Sequence, residues 1–212
     1  MIRGIDVSSY QPETYSTSGL DFVIVKATEG RSYINPKQNR QAATARSAGL
    51  ALGFYHFLWP GNIKAQAAYF VERCASLHGD MLVCDWETTG DGTAASNAEK
   101  DAFLKEVKRL RGATHKIGLY CNTDFWLNRD DTSYAADFLW IADPRTAGKP
   151  RIQAKWTIHQ YSITGGVDRN VARFNSRAEM RSWCGYGDSK PAPTVEQRLT
   201  SLERRVSALE KA

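Results

Sequence analysis

Apolar residues along this chain fall into short runs that each stop at polar residues. Between the runs lie segments whose apolar positions step by three and four. Runs of the first kind read as buried strands and segments of the second kind as helices. Strands are predicted at residues 2–7, 21–27, 50–58, 81–87, 116–121, 138–142 and 156–161, with a last one opening at Gly165-Gly166-Val167-Asp168-Arg169-Asn170. Helices are predicted at 36–48, with Pro36 in the first turn and Gly49 past the end, and at 63–77, where Ala67, Phe70, Cys74 and Leu77 form the stripe. A third helix opens on the capping box of Ser96 and Glu99, carries Phe103, Val107 and Leu110, and stops at Gly112.

Strands alternating with helices make parallel βα units, which close into a barrel or open into a doubly wound sheet. The polar positions decide between the two. Asp6, Glu29, His56, Asp85, Glu87, Tyr120 and Gln160 each stand where a strand ends. A barrel gathers its chemistry on such a rim, whereas an open sheet concentrates it at one switch point. The reading is therefore an α/β barrel. The late strands have short connections, so the last part of the barrel is expected to lack helices.

A different pattern follows. Residues 186–194 (Tyr-Gly-Asp-Ser-Lys-Pro-Ala-Pro-Thr) read as a linker. Thr194 and Gln197 form a capping box, and Val195, Leu199, Leu202, Val206 and Leu209 form an a/d seam over 195–211. Arg198 and Arg205 fall where they can pair with Glu203 and Glu210 of a parallel neighbour. The repeat Arg198-Leu199-Thr200-Ser201-Leu202-Glu203 and Arg205-Val206-Ser207-Ala208-Leu209-Glu210 resembles the signature of short trimeric coiled coils. Two readings stand: a homo-oligomer, dimer or trimer, through 195–211, or a helix packed on its own domain of residues 1–185.

The chain has 212 residues, 42% hydrophobic and 11% aromatic, which is enough to build a core. A net charge of +5 is too mild to specify an acidic partner, and the basic residues are dispersed with no nucleic-acid motif, so nucleic acid is not expected as a partner. No run is long enough for stable membrane insertion. The start, Met1-Ile2-Arg3-Gly4-Ile5-Asp6, lacks the pattern of a signal peptide, so synthesis in the cytoplasm is expected, with another route outwards if the protein acts elsewhere. Cys74, Cys84, Cys121 and Cys184 have no metal-ligand spacing, and Cys84 and Cys121 read as small buried hydrophobes. No metal and no cofactor are expected.

The strongest chemical candidate is Met81-Leu82-Val83-Cys84-Asp85-Trp86-Glu87, an apolar run ending in two acids. Residues two apart on a strand share a face, with Cα atoms about 6.5 Å apart. Asp85 and Glu87 then project into one space while Trp86 points away. Close acids hinder each other's ionisation, so one stays protonated near neutral pH while its partner stays charged. Glycoside hydrolysis uses such a pair, and the Cα spacing is compatible with retention and with inversion. An Asp-x-Glu alone is also a common solvated strand end.

In order along the chain, Gly4-Ile5-Asp6-Val7-Ser8, Val25-Lys26-Ala27-Thr28-Glu29-Gly30, Gly53-Phe54-Tyr55-His56-Phe57, Asp85-Trp86-Glu87, Tyr120, Trp140-Ile141-Ala142, His159-Gln160-Tyr161 and Gly166-Val167-Asp168-Arg169-Asn170 form a set. Over residues 1 to about 184 this set resembles the glycoside hydrolase family 25 lysozymes, the Chalaropsis-type muramidases common among phage endolysins. The resemblance implies a flattened, irregular (β/α)5β3 TIM-like barrel. It implies a catalytic domain that cleaves the β-1,4 bond between N-acetylmuramic acid and N-acetylglucosamine in bacterial peptidoglycan. Glu87 is then the general acid, Asp85 the residue that orients or charge-stabilises the 2-acetamido group, and Asp6 and Asp168 the remaining acids. Glu29, Tyr55, Tyr120, Trp140, Gln160 and Tyr161 are expected to bind substrate.

Each residue has a plainer alternative. Asp6 can cap a loop, Asp168 can be a turn residue, and Glu29 can pair with Lys26. The tyrosines can be core aromatics, and His56 can pack or line the groove. The phage-like role implies action on the wall after release by a holin-like partner. The rival is a catalytically weak wall-binding module made multivalent by its tail.

Overall fold

A computed structural model describes residues 1–163 and 166–186. Its strands are β1 (Ile2–Val7), β2 (Phe22–Glu29), β3 (Tyr33–Ile34), β4 (Ala51–Phe57), β5 (Met81–Asp85), β6 (Lys116–Asn122), β7 (Phe138–Ala142), β8 (Ile158–Ser162) and β9 (Asp168–Ala172). Its α-helices are α1 (Gln38–Ser47), α2 (Ile63–Arg73), α3 (Asn97–Arg111) and α4 (Arg177–Cys184). Eight strands close a ring in the order β1-β9-β8-β7-β6-β5-β4-β2, with β2 returning to β1 and β3 appended outside. Every neighbouring pair in the ring is parallel except those made by β9, which runs antiparallel to both β8 and β1.

The barrel is the expected one, with a thinner outer layer than five βα units would supply. Among the described residues, α-helices follow β2, β4, β5 and β9 within the ring, the last of them capping the barrel end rather than flanking a strand, and a π-helical turn (Phe125–Arg129) follows β6. The β1–β2 connection, rich in Ser and Thr and holding Pro12 and Gly19, is a loop. No described helix is long and apolar enough to cross a membrane.

Period-two alternation splits the apolar side chains into two cores. One lies between strands and helices, where Val25, Leu52, Phe54, Cys84, Leu119 and Cys121 meet Ala42, Phe70, Phe103 and Val107. The other fills the barrel, with Ile2, Phe22, Ile24, Met81, Val83, Phe138, Trp140 and Ile158. Inside the barrel, large rings face glycines on paired strands. Gly4 is in register with Phe22 and Gly118 with Phe138. A Cβ on Gly4 would lie 2.6 Å from the Phe22 ring, and one on Gly118 would collide with Phe138.

The capping box of α3 is present, with Ser96 N–H donating to Glu99 Oε2 at 2.7 Å and Glu99 N–H to Ser96 Oγ at 3.2 Å. Two helical expectations need correction. α2 stops at Arg73, where Cys74 turns extended, and Leu77 is 59% exposed. The last apolar residue assigned to α3, Leu110, is also on the outside.

Sequence reading missed α4, although Ser176 caps Glu179 N–H and Gly185 ends it with φ 90°. This helix plugs the N-terminal end of the barrel. Met180, Cys184 and Trp183 join the interior core, while Arg177 donates to the Leu20 and Ala48 carbonyls and Arg181 to the Leu50 carbonyl. Tyr186 hydrogen-bonds Asp80, so the packed body reaches one residue into the segment expected to be linker. The rest of that linker and the expected coiled coil of 195–211 lie outside the described residues.

Candidate active site

Along β1, β2, β5 and β8, the inward positions are apolar at the plugged end and polar at the other. Ile2 gives way to Asp6, Ile24 to Lys26, Val83 to Asp85 and Ile158 to Gln160. Because β9 is antiparallel, it reaches this rim with its first residue. Asp168 therefore lies in register with Asp6, and Asn170 with Gln160.

Asp6 is held by a chain of hydrogen bonds across the closing seam. Its Oδ2 accepts from Asn170 Nδ2 at 2.7 Å and from Gln160 Nε2 at 2.9 Å. Gln160 Oε1 accepts from the Tyr120 hydroxyl at 2.9 Å, and Asn170 Oδ1 accepts from Trp140 Nε1 at 2.8 Å. Burial, and after it the nearby Asp168, pushes the Asp6 pKa up to about 7. Burial also raises Asp168.

Asp85 is 5% exposed, and its Oδ1 has no hydrogen-bond partner among the described residues. Burial, followed by the charge of Glu87, pushes its pKa well above the carboxylate range. Glu87 is partly exposed and also raised, by burial and by Asp168 against the opposing pull of Lys26. Neighbouring acids held at high pKa can keep a proton near neutral pH, which a general acid requires.

Between them the backbone is fixed. Trp86 N–H donates to the Tyr120 carbonyl at 2.9 Å, extending the ladder beyond β5. The Trp86 indole faces the outer core, donates to the Ala95 carbonyl at 2.7 Å and meets Phe125 edge-on at 4.9 Å. The buried Lys100 ammonium lies 5.4 Å over that ring and pairs with Asp101 at 2.7 Å and Asp130 at 2.9 Å.

The expected substrate contacts divide. Tyr55 and Tyr120 are half-buried beside the acids, each packing on an edge of Trp140. Trp140 is 2% exposed and Gln160 4%, with their polar atoms spent on Asn170 and Asp6, so both support the site from below rather than line its surface. Tyr161 falls on the other face of β8 from Gln160, near His159 at 6.3 Å, and does not join the acids. Glu29 pairs with Lys26 at 2.7 Å and accepts from Trp59 Nε1 at 2.9 Å. Its burial raises its pKa, but these two donors outweigh that and hold it below the ordinary value.

His56 belongs to the core. It is fully buried, stacked on Phe103 at 4.9 Å, bonded to Thr28 and Gln66, and lowered by burial to about 4. Three roles escaped the sequence reading: Asn170, there one of the motif residues, as the second support of Asp6; Lys26, there weighed only as the partner of Glu29, as a cation whose charge also reaches Asp85 and Glu87; and Lys100 as the buried cation behind Trp86. Parity signalled the first two, Asn170 two residues beyond Asp168 and Lys26 two beyond Ile24, and nothing local signalled Lys100. Among the described residues, no group of three His, Cys, Asp or Glu side chains is placed to hold a metal ion.

The Asp6 shift makes a stability prediction. The group titrates at 3.8 when unperturbed and at about 7 in the fold, so between these values the folded chain binds more protons and stability falls as pH rises. Asp6→Asn keeps an oxygen for both amide donors and removes the charge. Thermal unfolding should show the variant no more stable than wild type at pH 3.5 and more stable at pH 8, by up to roughly 4 kcal/mol at about 1.4 kcal/mol per pKa unit. Equal melting shifts at both pH values would remove Asp6 as the origin.

Residues 5–169 match Glycosyl hydrolases family 25. The chain is 34% identical over 144 residues to the N,O-diacetylmuramidase of Chalaropsis sp, a stretch covering 59% of this chain and 68% of that protein. It is 28% identical over 156 residues to the lysozyme of Lactococcus phage mv1, covering 66% and 77%. The structure of a muramidase from Acremonium alcalophilum matches with a TM-score of 0.74 and 26% identity, covering 89% of this chain and all of that one. An acid-lined barrel rim and a family match spanning most of the barrel lead to one assignment: the chain is a glycoside hydrolase and belongs to glycosyl hydrolases family 25.

Proposed function

We propose that this chain is an N-acetylmuramidase that cleaves the β-1,4 bond between N-acetylmuramic acid and N-acetylglucosamine in bacterial peptidoglycan. The observation that carries this reading is the unpartnered buried Oδ1 of Asp85 beside Glu87. A buried acceptor with no partner among the described residues is costly unless another donor meets it. The N–H of a 2-acetamido group is such a donor. Held there, the acetamido oxygen attacks C1 as Glu87 gives its proton to the departing glycosidic oxygen. Water then opens the cyclic intermediate, with the Glu87 carboxylate taking a proton from it. Bound to the acetamido N–H, and with the proton kept by Glu87, Asp85 ionises and offsets the positive charge that grows on the acetamido group, and the outcome is retention. Asp6 and Asp168 shape the field around the pair.

The relationship to a phage lysozyme supports a lysis role of the endolysin type, with release to the wall by a holin-like partner. Mass spectrometry of products from purified peptidoglycan tests the activity. Muropeptides with a new muramic-acid reducing end are expected. New N-acetylglucosamine ends would replace the reading with a glucosaminidase. No new ends, with the protein retained on the wall, would favour the binding module.

A further inference from the structure

We infer that a cavity beside the acids is a subsite for the peptide stem of the substrate, with Arg31 receiving a stem carboxylate; this rests on the muramidase reading. The cavity, about 620 Å³, opens at the rim next to β2 and β4, and Glu29, Arg31, Tyr33, Trp59 and Asn62 are among its walls. Glu29 is in register with Phe57, and Phe57 with Asp85, so the cavity stands two strands from the acid pair, about 10 Å at sheet spacing. It lies to one side of the acids, where a branch of the glycan rather than the scissile bond would come. In peptidoglycan that branch is the peptide on muramic acid.

The walls are built in advance of any ligand. Gln66 Nε2 donates to the Trp59 carbonyl at 2.7 Å and to the Gly61 carbonyl at 2.6 Å, and its Oε1 accepts from Trp59 N–H at 3.1 Å. Glu99 Oε1 accepts from Gly61 N–H at 2.7 Å, tying the same loop to α3. Asn62 is fixed in the left-handed region at φ 51°. The Glu29 charge is matched by Lys26.

What remains uncommitted is a set of donors. The side chains of Arg31, Ser32 and Asn62 make no hydrogen bond or ion pair among the described residues. With Glu29 neutralised, the unpaired guanidinium leaves the cavity cationic, flanked by the rings of Tyr33 and Trp59. A single planar cation with amide and hydroxyl donors suits a carboxylate on an extended peptide. N-acetylglucosamine is neutral and would leave the charge unused, the lactyl carboxyl of muramic acid is an uncharged amide wherever a stem is attached, and a phosphate polymer would call for several cations.

The test uses two defined glycan tetrasaccharides, (N-acetylglucosamine–N-acetylmuramic acid)2 with tetrapeptide stems and the same glycan with its lactyl carboxyls capped as uncharged methylamides. The kcat/KM of the full chain is measured on each. Wild type should prefer the peptide-bearing substrate by about fivefold, the upper range of a partly solvated charge pair. Arg31→Ala should bring the ratio close to one, chiefly through KM, and Arg31→Glu should push it lower. Ratios unchanged in both variants, an absent preference in wild type, or equal losses on the two substrates would overturn the subsite while leaving the muramidase reading intact. Hydrolysis of neither substrate by wild type would instead overturn that reading, and the subsite with it.

Discussion

Glu87→Gln is expected to lower the release of new reducing ends by about 10³-fold, within the range general acids contribute, while the barrel stays folded. Glutamine keeps the size and the hydrogen-bonding of the side chain and has no proton to give to a leaving oxygen. Glu87 stands past the end of β5, on backbone held by the Trp86–Tyr120 ladder bond and by the Trp86 indole in the outer core, so the substitution touches no packing. Its raised pKa also means that the folded state resists ionising it. Removing the carboxyl should therefore leave the melting temperature at pH 7 unchanged or higher. In wild type, activity should fall as pH rises through that elevated pKa, because the proton needed for departure is then lost. Product counting and thermal unfolding on the same preparation separate the two effects. A folded variant with wild-type turnover would take Glu87 out of the acid role.

The barrel was legible because its strands carry their signal locally. A buried run with a polar last residue needs no knowledge of its neighbours, and the accumulation of such runs implied a closed rim. What failed was parity and distance. Gln160 and Tyr161 are adjacent, and only the register with Asn170 shows that Gln160 is the one pointing inwards. Trp140 was expected to bind substrate, but it is buried between Tyr55, Tyr120 and Asn170. Lys100 sits on a helix where a lysine normally faces water; it is buried because Asp130, thirty residues on, comes back to meet it. The stripe through Leu77 continued helical spacing past the point where the chain turns extended at Cys74. No local pattern reports these non-local events.

The place where the barrel closes is also the place where the acids are held. The antiparallel β9 joins β8 to β1, and the chain Tyr120–Gln160–Asp6–Asn170–Trp140 runs across that seam. Asp6 thus joins the seam as well as standing near the proposed catalytic pair, and the two amide donors on its Oδ2 oppose the burial that raises its pKa. The backbone ladders of β9 with β1 and β8 close the ring, and these side-chain hydrogen bonds lie across that closure.

Asp85→Asn is expected to lower kcat by about 10²–10³, with a smaller change in KM, and to stabilise the protein at neutral pH. The amide oxygen can still accept from an acetamido N–H, so binding survives. The amide brings no negative charge to face the positive charge that grows on the acetamido group, and loss of one such electrostatic partner typically costs about 10²–10³ in rate. For stability the sign runs the other way. The Asp85 pKa is well above its unperturbed 3.8 in the fold, because burial and Glu87 disfavour the charge. Above pH 4 the unfolded chain ionises this group freely while the folded chain resists, so wild-type stability is lost as pH rises and the neutral variant avoids that loss. The melting curves should coincide near pH 3.5 and separate by pH 7, with the variant higher. A variant that is slow and less stable at pH 7 would mean that Asp85 is a structural acid. One that is more stable and as fast as wild type would mean that the acetamido group is oriented by something else.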